Sequence, residues 1–213
     1  MRVLAISRHG SAENRQLIID MHKLRARIFK GRLDWEVSIA GDMEIDVYDS
    51  AAPTYLIGIT DTNAVVACAR LLPTIGPNML TNTFPALLGR HRAPASPKVF
   101  ESSRFCVDRE SLNEIGLKGL NEATFSMLAA VLEWGLANDQ EAVVTVTDVR
   151  FERILQRAQW PLERFAPPMQ IGDTRALAGR LPITLDALTN VRQTGGLSGA
   201  VLSFASDNHD QAA

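Results

Sequence analysis

The sequence predicts an α/β (α+β) chain with a mixed, mainly antiparallel central sheet and helices on both of its faces. Three observations carry that expectation. Residues 54–60 and 64–72 are strand-forming runs separated only by a short turn at Asp61-Thr62-Asn63, as in a hairpin. A third strand run at 98–107 is followed by a long helix, 120–137, and then by the β-branched run Ala142–Thr147. That helix sets Phe125, Leu128, Leu132 and Leu136 on one face and Met127 and Trp134 opposite, as suits an element buried between layers.

Along the chain, the apolar run within Met1–Arg8 is too short for the core of a signal peptide. No stretch approaches the roughly 20 apolar residues of a membrane span, so a cytoplasmic protein is expected. Residues 13–30 read as a helix with the stripe Leu17, Met21, Leu24 and Ile28. Ile18, Arg25 and Phe29 advance along one flank of it, so Arg25 and Phe29 look toward the same neighbour. A short helix at 150–158 ends before Trp160-Pro161, and a last strand is expected near 174–181. Gly195-Gly196-Leu197-Ser198-Gly199 reads as a flexible connector. Residues 1–202 are expected to form one domain and 203–213 a disordered tail.

Composition excludes some function classes. The chain has 213 residues, 46% of them hydrophobic, enough to bury a full core. With 22 basic against 24 acidic residues it lacks the cationic excess of a nucleic-acid binder. Cys68 and Cys106 have no CxxC spacing and lie in predicted strands, so they read as reduced core residues. No metal site is indicated.

The most informative stretch is Glu101-Ser102-Ser103-Arg104-Phe105-Cys106-Val107-Asp108, which puts an acid and a guanidinium on a strand that reads as interior. Buried charges need partners. Three upstream segments offer them: Leu24–Phe29 followed by Leu33-Asp34-Trp35, the acidic Glu44–Asp49, and Cys68-Ala69-Arg70-Leu71-Leu72. Strict alternation puts Glu101, Ser103 and Phe105 on one face and Ser102, Arg104 and Cys106 on the other. Unless a bulge intervenes, Arg104 then points away from Glu101 and is more structural than catalytic.

In order and spacing, Arg25, Phe29, Trp35, Asp46, Asp49, Arg70, Glu101 and Arg104 resemble the pattern of the acyl-homoserine-lactone synthases, the autoinducer synthases of bacterial quorum sensing. The resemblance continues more loosely through Thr145-Val146-Thr147-Asp148 and Arg153–Pro161 and fades after about Pro182. It implies an N-acyltransferase-like three-layer sandwich in which two neighbouring strands, here 98–107 and 142–147, splay apart around the pantetheine arm of an acyl donor. It also implies S-adenosylmethionine as co-substrate, with no permanently bound cofactor, and an acyl carrier protein as donor.

Acylating an amine requires the neutral amine and hence a proton acceptor, for which Glu101 is the candidate. A buried salt-bridge acid paired with Arg70 or Arg25 is its plainer reading. The resemblance assigns catalysis to Glu101, Arg25, Asp46, Asp49, Arg70 and Arg104. Asp46 and Asp49 suit the cationic end of S-adenosylmethionine, and Arg25 and Arg104 suit its carboxylate. Phe29 and Trp35 offer cation–π contact to the sulfonium. A solvated acidic loop and a hydrophobic lid are the alternatives for these residues. No acyl-enzyme is expected, because neither Ser103 nor Cys106 has a histidine close in sequence, and His9, His22, His91 and His209 lie away from the matching blocks.

Met79, Phe84, Ser103, Phe105, Met127, Leu128, Thr145, Val146 and Leu155 are the candidate acyl-chain lining, each a core residue by default. In the family a hydroxyl at Thr145 accompanies chains oxygenated at C3, implying a 3-oxo-acyl preference. Arg150, Arg153 and Arg157 form a basic stripe on the short helix that suits an acidic carrier protein, although a solvated helix face explains it nearly as well. Two other classes stay open. One is an acyl-coenzyme A N-acyltransferase, which normally carries an Arg/Gln-x-x-Gly-x-Gly/Ala loop that this sequence lacks. The other is a non-catalytic acyl-ligand binder, against which the costly charged cluster argues.

Overall fold

The computed structural model describes residues 1–7, 12–32, 36–114 and 120–204. Its strands are β1 (Arg2–Ser7), β2 (Ile39–Ala40), β3 (Met43–Glu44), β4 (Thr54–Ile59), β5 (Val65–Pro73), β6 (Val99–Val107), β7 (Ala142–Asp148), β8 (Glu163–Arg164), β9 (Met169–Ile171), β10 (Thr174–Pro182) and β11 (Leu202–Phe204). Its α-helices are α1 (Ala12–Arg25), α2 (Met79–Asn82), α3 (Arg109–Glu114), α4 (Leu120–Ala137), α5 (Val149–Arg157) and α6 (Leu185–Gly195).

The main sheet runs β11-β1-β4-β5-β6-β7-β10-β8, with β9 also on β10. It is antiparallel except for β1–β11 and β6–β7. One face packs against α4, α5 and α6 through Phe100, Leu128, Leu132, Leu155 and Leu188. The other packs against α1 through Met21 and Leu24, against the turn of helix that follows it through Ile28, and against α2 through Leu80. The three layers follow from the hydrophobic pattern. In β5, Val65 through Leu72 are all buried, as a strand covered on both faces requires.

Four expectations change. The predicted helix 13–30 stays α-helical only to Arg25 and continues as a π-helix, Ala26–Arg32, a rare geometry that recurs at functional sites. Its looser winding still buries both Ile28 and Phe29. The connector at 195–199 is instead a helix end: Gly196 caps α6 in the left-handed region at φ 66°. A Cβ on Gly195 would lie 2.4 Å from that of Phe125, so glycine permits the packing of α6 on α4. Ser203 and Phe204, expected in a disordered tail, pair in β11 with Leu4 and Ala5; residues 205–213 lie outside the described residues.

The fourth change is in β6, which does not alternate throughout. Cys106 faces Cys68 and Ser103 faces Arg70, so three residues of β6 span two of β5. This is a β-bulge, and Arg104 sits in it at φ 53°, in the left-handed region. The bulge resets the pleat. Arg104 and Cys106 thereby join the face of Glu101 and Ser103, while Phe105 turns to the α5 side, its ring 4.8 Å from that of Phe151. Pairing of β6 with β7 runs from Val99↔Ala142 to Ser102↔Thr145 and goes no further, so the two strands part beside the bulge.

Candidate active site

The site grows out of local capping. Asp46 caps the short 3-10 helix Val47–Ser50, accepting from the Tyr48 amide at 2.9 Å, while Asp49 accepts from the Asp46 amide at 2.8 Å. This reciprocal capping box holds both carboxylates through bonds made within the segment itself. Arg25, at the end of α1, then donates to Asp49 through both terminal nitrogens, at 2.8 and 2.9 Å, and through Nε to Glu44. Arg70, from the middle of β5, donates to Asp46 Oδ2 at 3.0 Å, Asp49 Oδ1 at 2.9 Å and Ser103 Oγ at 3.2 Å. Arg104 reaches Glu44 at 3.0 Å and Asp46 at 2.8 Å because the bulge aims it there.

Three guanidinia thus face three carboxylates, and Arg25, Arg70 and Glu44 are shut off from solvent. Burying charges is costly unless every partner is met, and here each ion touches at least two others. Burial opposes the charge on Arg25, yet its bonds to Asp49 and Glu44 outweigh that and raise its pKa. Burial likewise opposes ionisation of Asp49, and Arg25 with Arg70 overrides it, holding the carboxyl well below its usual range. Burial and the Asp49 carboxylate push up the Tyr55 phenol, which donates to Asp49 at 2.8 Å.

Glu101 stands apart from these ion pairs. Its two oxygens accept the first amides of α2, from Met79 at 3.1 Å and Leu80 at 2.6 Å. Burial raises its pKa, and the Leu80 and Met79 amides pull the other way without cancelling the rise. Met79, held by that cap, turns its sulfur to the guanidinia of Arg70 at 3.2 Å and Arg104 at 3.4 Å. One ring face of Phe29 is under Arg104, 5.5 Å from ring centre to guanidinium carbon.

The structure therefore joins Arg25, Phe29, Asp46, Asp49, Arg70, Glu101 and Arg104; Trp35 lies outside the described residues. The bulge is the exception that strict alternation allowed for, and it puts Arg104 on the face of Glu101 instead of the opposite one. Glu44, named above only as the start of the acidic segment, joins Arg25 to Arg104; Tyr55 was not singled out, and His22, set aside above, has its Nδ1 2.8 Å from the Glu44 carbonyl oxygen. The signal for Glu44 was its place two residues before Asp46, on the same acidic segment. Cys68 and Cys106 are buried free thiols with sulfurs 3.5 Å apart.

The candidate acyl lining is not one surface. Phe105, Leu128 and Leu155 share the α4–α5 side of the sheet, and alternation along β7 puts Thr145 there too, its hydroxyl donating to the Ser102 carbonyl at 2.8 Å. Met79, Phe84 and Val146 belong to clusters on the opposite side, as does Ser103 by its bond to Arg70. Met127 packs its sulfur near Gly58, under β4 and away from the parting. Arg150, Arg153 and Arg157 are exposed on α5.

Comparison with known proteins bears directly on this cluster. The chain matches the autoinducer synthase family profile over residues 9–191. The chain belongs to the autoinducer synthase family. A probable acyl-homoserine-lactone synthase of Sinorhizobium fredii is 44% identical over 204 residues, 96% of this chain and 98% of that one. Among solved structures, the acyl-homoserine-lactone synthase LasI is 38% identical, covers 93% of this chain and 97% of its own, and superposes with a TM-score of 0.76. BjaI, a coenzyme A-dependent acyl-homoserine-lactone synthase solved with S-adenosylmethionine and isopentyl-coenzyme A, reaches 0.85 at 22% identity over 95% of this chain and 92% of that one, a likeness of fold. This autoinducer synthase is accordingly an acyltransferase of quorum sensing. No helix among the described residues is long and apolar enough to cross a membrane.

Proposed function

We propose that this autoinducer synthase acylates the amine of S-adenosylmethionine from an acyl carrier protein thioester and closes the product to an N-acyl-homoserine lactone. The observation that carries the proposal is the buried cluster of Arg25, Arg70 and Arg104 with Glu44, Asp46 and Asp49, set where β6 and β7 part. S-adenosylmethionine carries a sulfonium, an ammonium and a carboxylate, and this cluster offers fixed charges of both signs. Asp46 and Asp49 serve its cationic end, Arg25 and Arg104 its carboxylate. Phe29 and Trp35 add aromatic faces. That BjaI was solved with S-adenosylmethionine supports this co-substrate.

In the first step the amine nitrogen attacks the thioester carbonyl, the carbon–sulfur bond breaks, and the donor leaves as a thiol. Glu101 takes the amine proton, directly or through water, and gives it up to the departing thiolate; its raised pKa makes it a better acceptor than an exposed carboxylate. In the second step a carboxylate oxygen of the acylated product attacks its own γ-carbon, and the bond to the sulfonium breaks to release neutral methylthioadenosine. Closure needs the carboxylate held in line, a task of positioning and electrostatics for Arg25, Arg70 and Arg104.

The acyl chain is assigned to the α4–α5 side of the parting, along Phe105, Leu128, Leu155 and Thr145. Turned away from the Ser102 carbonyl, the Thr145 hydroxyl supplies a donor for an oxygen at C3, which favours 3-oxo-acyl chains. Arg150, Arg153 and Arg157 serve the acidic carrier protein. Mass spectrometry of organic extracts from cells expressing the chain tests the whole reading. Ions yielding the homoserine-lactone fragment are expected, their masses reporting chain length and C3 oxidation. If purified protein with S-adenosylmethionine and a panel of carrier and coenzyme A thioesters releases no methylthioadenosine, the reading fails.

A further inference from the structure

Glu44, the carboxylate that Arg25 and Arg104 share, comes from β3, one half of a hairpin with only two residues in each strand. Among the described residues this hairpin is a sheet of its own, with no ladder to the main one. A two-stranded hairpin is marginal in water, so its place has to be fixed from outside. Two consecutive residues of α1 reach it. Lys23 meets Asp42 at 2.9 Å, but both side chains are open to solvent, and an ion pair of that kind holds little. His22 is buried, with Nδ1 2.8 Å from the Glu44 carbonyl oxygen. A carbonyl oxygen only accepts, so Nδ1 carries the proton. Burial lowers the pKa of the ring and Arg25 lowers it further, against the pull of Glu44 and Asp49, so the imidazole is neutral and sets no extra cation beside Arg25. The ring of Tyr55 meets it edge to face, centroids 5.8 Å apart, and fixes its orientation.

His22 and Arg25 stand three residues apart, neighbours on one face of α1. His22 takes the backbone of Glu44 and Arg25 takes its carboxylate, so the residue is gripped at both ends. With the backbone fixed, the carboxylate stays between Arg25 and Arg104 and cannot follow one guanidinium away from the other. We propose that His22 is a positioning residue for the S-adenosylmethionine site, donating to the Glu44 carbonyl so that the Glu44 carboxylate keeps Arg25 and Arg104 at the spacing the substrate's carboxylate needs. It touches no reacting atom and acts through Glu44. This rests on the S-adenosylmethionine reading above.

The test compares His22→Leu with His22→Asn, two side chains of nearly the same shape, of which only asparagine carries a donor at the place of Nδ1. Methylthioadenosine release gives kcat and the KM for S-adenosylmethionine and for the acyl thioester, and the Tm of each variant is recorded. His22→Leu is expected to raise the KM for S-adenosylmethionine about tenfold, as loss of a buried hydrogen-bond donor should, and to leave that for the thioester within about twofold. His22→Asn is expected to recover most of that loss. Lys23→Ala, which removes only the exposed tie, is expected to change neither KM more than about twofold. Should His22→Leu not fold, His22→Gln takes its place with the same expected rise, because its amide lies one atom beyond the position of Nδ1. Equal KM values in the leucine and asparagine variants, a rise shared by the thioester, or as large a rise in Lys23→Ala overturns the positioning role and leaves the S-adenosylmethionine reading intact. Wild-type protein that releases no methylthioadenosine with any donor overturns that reading, and the task of His22 with it.

Discussion

Burial disfavours the charge on Glu101, and two backbone amides give partial relief. A carboxyl with a raised folded-state pKa binds its proton more tightly folded than unfolded, so ionising it costs stability as pH rises past the unfolded value. Asp49 is the opposite case. Its lowered pKa contributes stability that is present above the unfolded value and lost only as pH falls through the folded one. If Glu101 accepts the amine proton, the acid limb of kcat/KM should lie above the usual carboxylate range. Glu101→Gln should lower kcat by about 100-fold or more and remove that limb. Activity within threefold of wild type with the limb intact would leave Glu101 as a helix cap only. The eight family positions, Glu101 among them, were legible as a pattern, but the reason Arg104 belongs with them was not. Arginine is no signal for a left-handed backbone, and a one-residue bulge appears only when β6 is paired with β5.

At the scale of elements, periodicity was a good guide where one element decides its own burial. The helix expected at 120–137 is α4, and the runs at 54–60, 64–72 and 98–107 are β4, β5 and β6 to within a residue at each end. It failed where a distant residue does the holding. In β11, only three residues long, nothing in Leu202–Phe204 marks a strand. Its anchor is Glu133 of α4, whose carboxylate accepts the amides of Val201 at 3.1 Å and Leu202 at 2.8 Å and the guanidinium of Arg192 at 2.8 Å. Removing it strands two amides and a half-buried cation. Glu133→Ala should therefore cost about 2 kcal/mol, from the penalty for unmet buried polar groups. In a chain of this size that lowers Tm by about 4–8 °C. A calorimetric Tm within about 1 °C of wild type would mean that β11 is held by its pairing with β1 alone.

Across the whole molecule, the sheet separates two tasks. The ionic cluster occupies the α1–α2 side, the assigned acyl lining lies toward α4 and α5, and the parting of β6 from β7 connects them. Nothing in the cluster waits for the donor: Arg25 and Arg70 are already buried and paired, and the capping box fixes Asp46 and Asp49 locally. A site assembled in advance binds its ligand without first ordering it. S-adenosylmethionine alone should then stabilise the protein, by about 2.7 kcal/mol at a hundred times its Kd. That corresponds to a Tm rise of about 5–10 °C for a chain of this length. A thermal-unfolding titration distinguishes this from a site completed by the acyl donor, since a shift that appears only when thioester is also present would mean that the donor reshapes the parting before the cluster can bind. Charge-neutral substitution of one cluster arginine should abolish the shift, because the remaining carboxylates would then repel one another at the place where the substrate's own carboxylate has to sit.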